Sequence, residues 1–96
     1  RNAFNLIPYY SYLNVNMGVL KSVIGQIDSA EYYYQNAIKY GPENPEAYFY
    51  YGSFLMGKQQ FDQAAEMIKK CINLSSGHLD ARHSLQQLKR LIRSFS

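Results

Sequence analysis

The side chains able to do chemistry in this sequence are few: Cys71, His78 and His83, with Asp80 beside the second histidine. His83 follows Asp80 by three residues, so on a helix the two share a face, a spacing open to a weak metal or acid–base pair. Neither histidine sits in an HExxH context, and one cysteine cannot complete a zinc set with them at an established spacing. Cys71 also rules out an intrachain disulfide framework. No glycine-rich phosphate loop is present, because Gly18, Gly25, Gly41 and Gly52 stand apart, each where a turn or a close helix contact would need one. No catalytic constellation emerges. The expectation is a chain that is not an enzyme and has no cofactor and no metal site.

Aromatic side chains are the next candidates. Residues 30–52 read AEYYYQNAIKYGPENPEAYFYYG, with seven tyrosines and one phenylalanine. Nucleic-acid binding calls for aromatics interleaved with bases. Here every tyrosine precedes residue 52, whereas Lys69, Lys70, Arg82, Lys89, Arg90 and Arg93 follow it. Nucleic acid is therefore not the expected partner, and the basic run reads as a solvated helix face. The net charge of +3 is too small to imply more than loose attraction to acidic partners. Ninety-six residues, 47% hydrophobic and 18% charged, suit one folded domain with a modest core. No apolar run approaches the roughly 18 residues that would span a bilayer.

The elements that hold these residues repeat. Shifted by 34, the chain lands on itself: Gly18 on Gly52, Gln26 on Gln60, Asp28 on Asp62, Ala30 on Ala64 and Ile38 on Ile72. Within each unit the pattern predicts two antiparallel helices. Asn44-Pro45-Glu46 starts one, with an asparagine cap, a proline whose missing N–H is harmless there, and an acid at the positive end. Ala47, Tyr51, Phe54 and Lys58 then follow at the spacing of a buried stripe. A turn at Lys58-Gln59-Gln60 leads to a second helix capped by Asp62. In the preceding unit, Asp28-Ser29-Ala30-Glu31 reads as a capping box and Gly41 as a left-handed terminator before Pro42. Tyr34, Tyr40, Tyr48 and Tyr51 fall at large packing positions, Tyr33 reads as half-buried and Tyr32 as solvent-facing.

This pattern resembles the tetratricopeptide repeat family. Tyr48-x2-Tyr51-Gly52-x2-Leu55, then Ala64-x3-Ile68, fits its motif over 45–78, with Ser76 where proline is usual. Asn14-x2-Met17-Gly18-x2-Lys21, then Ala30-x3-Tyr34, then Pro42, fits it over 11–44. The resemblance implies an all-α fold of antiparallel helix pairs stacked into a right-handed superhelical solenoid. Residues 1–10 then read as the tail of a preceding repeat, and 79–96 as a capping helix with Gln86 where the full units have glycine. The exposed outer face of that helix carries Gln87, Lys89, Arg90 and Arg93, as a terminal unit requires.

The resemblance further implies that the first helix of each pair lines a groove, and function then rests on recognition by shape. The side opposite each buried stripe carries Tyr12, Val15, Asn16 and Val19, with Val23, in the first unit. In the second it carries Phe49, Tyr50, Ser53 and Met56, and in the last helix His83, Gln87 and Arg90. The expected function is a non-catalytic module that binds a protein or peptide segment in this groove. The alternative is the C-terminal tail of a larger enzyme, for example a membrane-embedded glycosyltransferase, positioning substrate proteins. Self-association through the N-terminal edge is a further expectation. The carboxylate clamps of some family members are not expected, because Val15, Val19, Tyr50, Asp80 and Ser84 occupy the matching places.

Overall fold

A computed structural model describes residues 9–94. Of residues 1–10, read as the tail of a preceding repeat, 1–8 and the N-terminal edge built on them lie outside the described residues, while Tyr9 and Tyr10 open the first helix. Five helices follow in order: α1 (Tyr9–Val23), α2 (Ile27–Tyr40), α3 (Pro45–Gly57), α4 (Phe61–Leu74) and α5 (Leu79–Ser94). Among the described residues there is no strand. Helix α1 pairs with α2 and α3 with α4, while α5 packs on α4 and touches α3. The shortest molecular dimension, 17 Å, is that of two helix layers: α1, α3 and α5 in one, α2 and α4 in the other.

The helix breaks form where small or turn-favouring residues permit them. Gly25, at φ 85°, makes the left-handed turn between α1 and α2, and Gln59, at φ 64°, makes the turn between α3 and α4. Asn44 caps α3 as expected, its Oδ1 accepting from the Glu46 N–H at 3.1 Å, with Pro45 first in the helix. Three local expectations are corrected. Helices α2 and α4 begin at Ile27 and Phe61 behind Gln26 and Gln60, neither of which makes a side-chain cap bond. Asp28 and Asp62 thus sit inside the first turn, where they face the positive helix end without capping it. Glu31 is turned across the repeat junction instead of back to its own helix start. Gly41 ends α2 at φ −145°, which is not left-handed.

Gly41 is required for a different reason. A Cβ there would lie 2.5 Å from Ser11 Oγ and 2.6 Å from Ser11 Cβ. Ser11 is fully buried, and its Oγ donates to the Ala37 carbonyl at 2.7 Å while accepting from Asn44 Nδ2 at 3.0 Å. Asn44 is also fully buried. One polar chain thus ties the start of α1 to the end of α2 and the start of α3, and each of its members has a partner, as buried polar groups must. Around it pack Val15, Ala37 and Ala47.

Close helix approach depends on the two glycines in register. A Cβ on Gly18 would meet the Tyr34 ring at 2.7 Å, and one on Gly52 would meet Ile68 Cδ1 at 2.7 Å. The main core lies between α3, α4 and α5, where Leu55, Ile68 and Leu88 are the largest wholly buried apolar side chains. Helix α5 contributes Ala81, Leu85, Leu88 and Ile92 to it and leaves Arg82, Gln86 and Lys89 exposed. Those three align with Tyr48, Gly52 and Leu55, the residues by which α3 receives α4. Tyr34, Tyr48 and Tyr51 are packing residues as expected, whereas Tyr40 is 43% exposed and rests edge-on against Tyr10. Tyr33 is half-buried and Tyr32 exposed.

At the outer junction Tyr51 Oη donates to Glu31 Oε2 at 2.8 Å, and Lys58 Nζ lies 3.1 Å from Glu31 Oε1. The tyrosine hydrogen bond, then the lysine, hold the Glu31 carboxyl below the usual glutamate range. A depressed folded value gives stability that is present above the unfolded glutamate range and lost as pH falls through the folded value. Denaturant unfolding of Glu31→Gln should therefore show less stability than the parent at neutral pH, with the gap closing in acid. Asn44→Ala removes the cap and leaves Ser11 with one partner fewer in the interior. It should cost about 1–3 kcal/mol in the same measurement.

Candidate functional site

The exposed side of α1 and α3 holds a recess that begins with Gly18. Because Gly18 has no side chain, the Tyr34 ring of α2 passes beside α1 and reaches Phe54 of α3, with ring centroids 5.2 Å apart. Tyr51 stacks on the same ring at 6.0 Å. Val19, Ser22 and Val23 from α1 and Tyr50, Ser53 and Phe54 from α3 complete the walls around Tyr34. The recess, open to solvent on one side, holds about 200 Å³. Tyr34 is 3% exposed, and burial, with Tyr50 nearby, pushes its phenol up to about 12. Ser53 Oγ donates to the Phe49 carbonyl at 3.0 Å, which fixes where its proton points.

The residues expected along this face divide into several groups. Val19, Tyr50 and Ser53 meet in the recess. Tyr12 and Asn16 are exposed on α1 outside it. Val15 is corrected: it is 4% exposed and packs with Ala37 and Ala47, so it belongs to the core and offers no surface to a partner. The cause is α3, which crosses α1 closely enough to cover the second turn of the helix. Phe49 and Met56 are half-buried against the main core. His83, Gln87 and Arg90 are exposed on α5, and Gln87 and Arg90 border a separate recess with Leu91. Sequence reasoning missed Ser22, which the spacing from Val19 could have found. It also missed that Tyr34 and Phe54, rightly assigned to packing, would form the recess floor.

His78 builds the junction between α3 and α5. Its Nδ1 accepts from the Ala81 N–H at 3.1 Å, so His78 caps α5 as Asn44 caps α3, one period earlier. With Nδ1 accepting, the ring proton of the neutral form resides on Nε2 and is donated to Glu46 Oε2, 3.1 Å away. The ring also lies against Phe49, with centroids 4.8 Å apart. Phe49 thereby bridges α3 to the start of α5. Cys71, fully buried behind this junction, has its thiol pushed up to about 11, first by burial and then by Glu46. It packs as a small core residue.

Chemically, the face offers apolar walls, hydroxyls and aromatic edges. His83 and Asp80 are exposed on α5 and make no hydrogen bond to each other. Among the described residues, no group of three His, Cys, Asp or Glu side chains could hold a metal ion. No helix among them is long and apolar enough to cross a membrane. The family model described as tetratricopeptide repeat matches residues 25–88, from the α1–α2 turn through most of α5. No curated protein matches the sequence.

Replacing His78 with alanine removes the α5 cap and the Glu46 contact together. Denaturant unfolding of His78→Ala should show a loss of about 1 kcal/mol. Asparagine at the same place, as at Asn44, should recover most of that loss.

Proposed function

Since the chain belongs to the tetratricopeptide repeat family, a family of protein-interaction modules, we propose that it is a non-catalytic module binding a peptide or partner segment along α1, α3 and α5. The observation that carries this reading is the α1–α3 recess. Its walls combine the exposed Val23 and Tyr50 with the buried Tyr34 and Phe54, so a partner side chain can be largely desolvated there without moving the backbone. The spread of the helices supports the choice of face. Helices α1, α3 and α5 touch in series, whereas α2 and α4 are separated by a cleft of about 470 Å³ lined by Glu31, Gln35, Gln63 and Met67. A stack spread on the α2–α4 side bends toward the α1–α3–α5 side, which becomes the inner one.

The site residues of this reading are Val19, Val23, Tyr50 and Ser53 at the recess, Tyr12 and Asn16 on α1, and Gln87 and Arg90 on α5. A random peptide library displayed on phage and selected against the immobilised chain should yield binders. Added to isotopically labelled protein, they should move the amide signals of Val19, Val23, Tyr50 and Ser53. Val19→Glu and Ser53→Arg should each weaken those binders by about tenfold or more with helical circular dichroism unchanged. Selected peptides that instead move signals on α2 and α4 would refute the assignment of the face.

A further inference from the structure

Tyr34 is the one hydroxyl-bearing side chain on the floor of the α1–α3 recess that is almost wholly buried. Its ring is held between the gap left by Gly18 and the ring of Phe54. Among the described residues, nothing hydrogen-bonds its hydroxyl. A packing role alone would be met by phenylalanine. The fold has already taken this phenol out of water, so an occupant that offers an acceptor satisfies a donor left unmet. Ser53 adds the complementary demand. Its proton is committed to the Phe49 carbonyl, so its oxygen can only accept from an occupant. None of the residues lining the recess is charged. A carboxylate or an ammonium would therefore be desolvated there without a counter-charge, and charge complementarity selects a neutral group. Val19, Val23 and Phe54 supply an apolar collar between these polar points, and the recess of about 200 Å³ has room for a side chain of glutamine's size.

We infer that the recess receives the side-chain carboxamide of a glutamine or asparagine in the bound segment, its carbonyl oxygen accepting from Tyr34 and its amide N–H donating to Ser53 Oγ. This rests on the face assigned above and adds the chemical identity of the anchor. The phenol serves as donor throughout the physiological range, since burial holds its titration far above it. A leucine of similar size would fill the same space and leave the Tyr34 donor without an acceptor.

The test uses N-acetylglutamine methylamide and N-acetylleucine methylamide, each titrated into isotopically labelled chain and followed by amide shifts. The glutamine derivative should move Val19, Val23 and Ser53 and bind about tenfold or more tighter than the leucine derivative. Tyr34→Phe should abolish that preference while leaving the thermal midpoint unchanged or higher, an outcome a purely structural tyrosine would not give. Ser53→Ala should reduce the preference in part. Equal binding of the two probes, no shift at the recess with either, or a preference that survives Tyr34→Phe would overturn the inference. If the peptides selected from the library map to the recess without a glutamine or asparagine anchor, only the anchor is wrong. If they map to another face, the assignment of the face itself is wrong.

Discussion

The buried contact among Ser11, Asn44 and the Ala37 carbonyl is the constraint on which the rest depends. Ser11 meets there two groups 26 and 33 residues further along the chain, all of them buried, so their mutual geometry is set by hydrogen-bond lengths and not by the softer demands of apolar packing. Asn44 serves twice, donating to Ser11 and accepting from the first turn of α3. The direction in which α3 leaves the junction is thereby fixed relative to α1. Since the recess is walled by those same two helices, its width is inherited from this joint. Gly41 belongs to the same constraint, for any side chain there would collide with Ser11.

The second joint solves the same problem with different groups. One period after Asn44 stands His78, which again caps the following helix through a side-chain acceptor. One period after Ser11, however, stands Pro45, which has no hydroxyl to continue the chain of bonds. The remaining ring nitrogen of His78 turns instead to Glu46, whose carboxylate is 39% exposed. The first joint is closed to solvent, and the second is partly open and leans on a hydrogen bond to a carboxylate that solvent reaches. Helix α5 is accordingly held mainly by its apolar contacts with α4 through Ala81, Leu85, Leu88 and Ile92.

Much of this fold was legible because it is periodic. Identical small residues recurring at Gly18 and Gly52, and at Ala30 and Ala64, report close helix contacts whatever surrounds them, and the structure places each in such a contact. The Asn44-Pro45 start was legible for the same local reason. What failed was the direction of individual side chains. Asp28 and Asp62 are good cap residues, but the helices start earlier, because Gly25 and Gln59 complete their turns immediately before Gln26 and Gln60. Val15 lies on the correct stripe of an isolated helix and is covered by a helix that begins some thirty residues later. The Ser11–Asn44 bond could not be read from spacing, since nothing local to either residue announces the other.

Periodicity also shows why only one recess has this chemistry. Shifted by one period, Tyr34 becomes Ile68, Val19 becomes Ser53, Val23 becomes Gly57, and Phe54 becomes Leu88. Ile68 is fully buried under Gly52 and carries no polar group, so no hydrogen-bonding floor can form between α3 and α5. His78 and Phe49 occupy that junction, and what lies beyond is the polar surface of Gln87 and Arg90. The two junctions therefore share a backbone plan and differ in what they can hold. An aromatic at the Tyr34 position reaches from the α2–α4 layer to the recess between α1 and α3, whereas the isoleucine at the Ile68 position stops in the core. The difference between these two side chains, set against the same glycine, leaves a hydroxyl at one junction and a wholly apolar contact at the other.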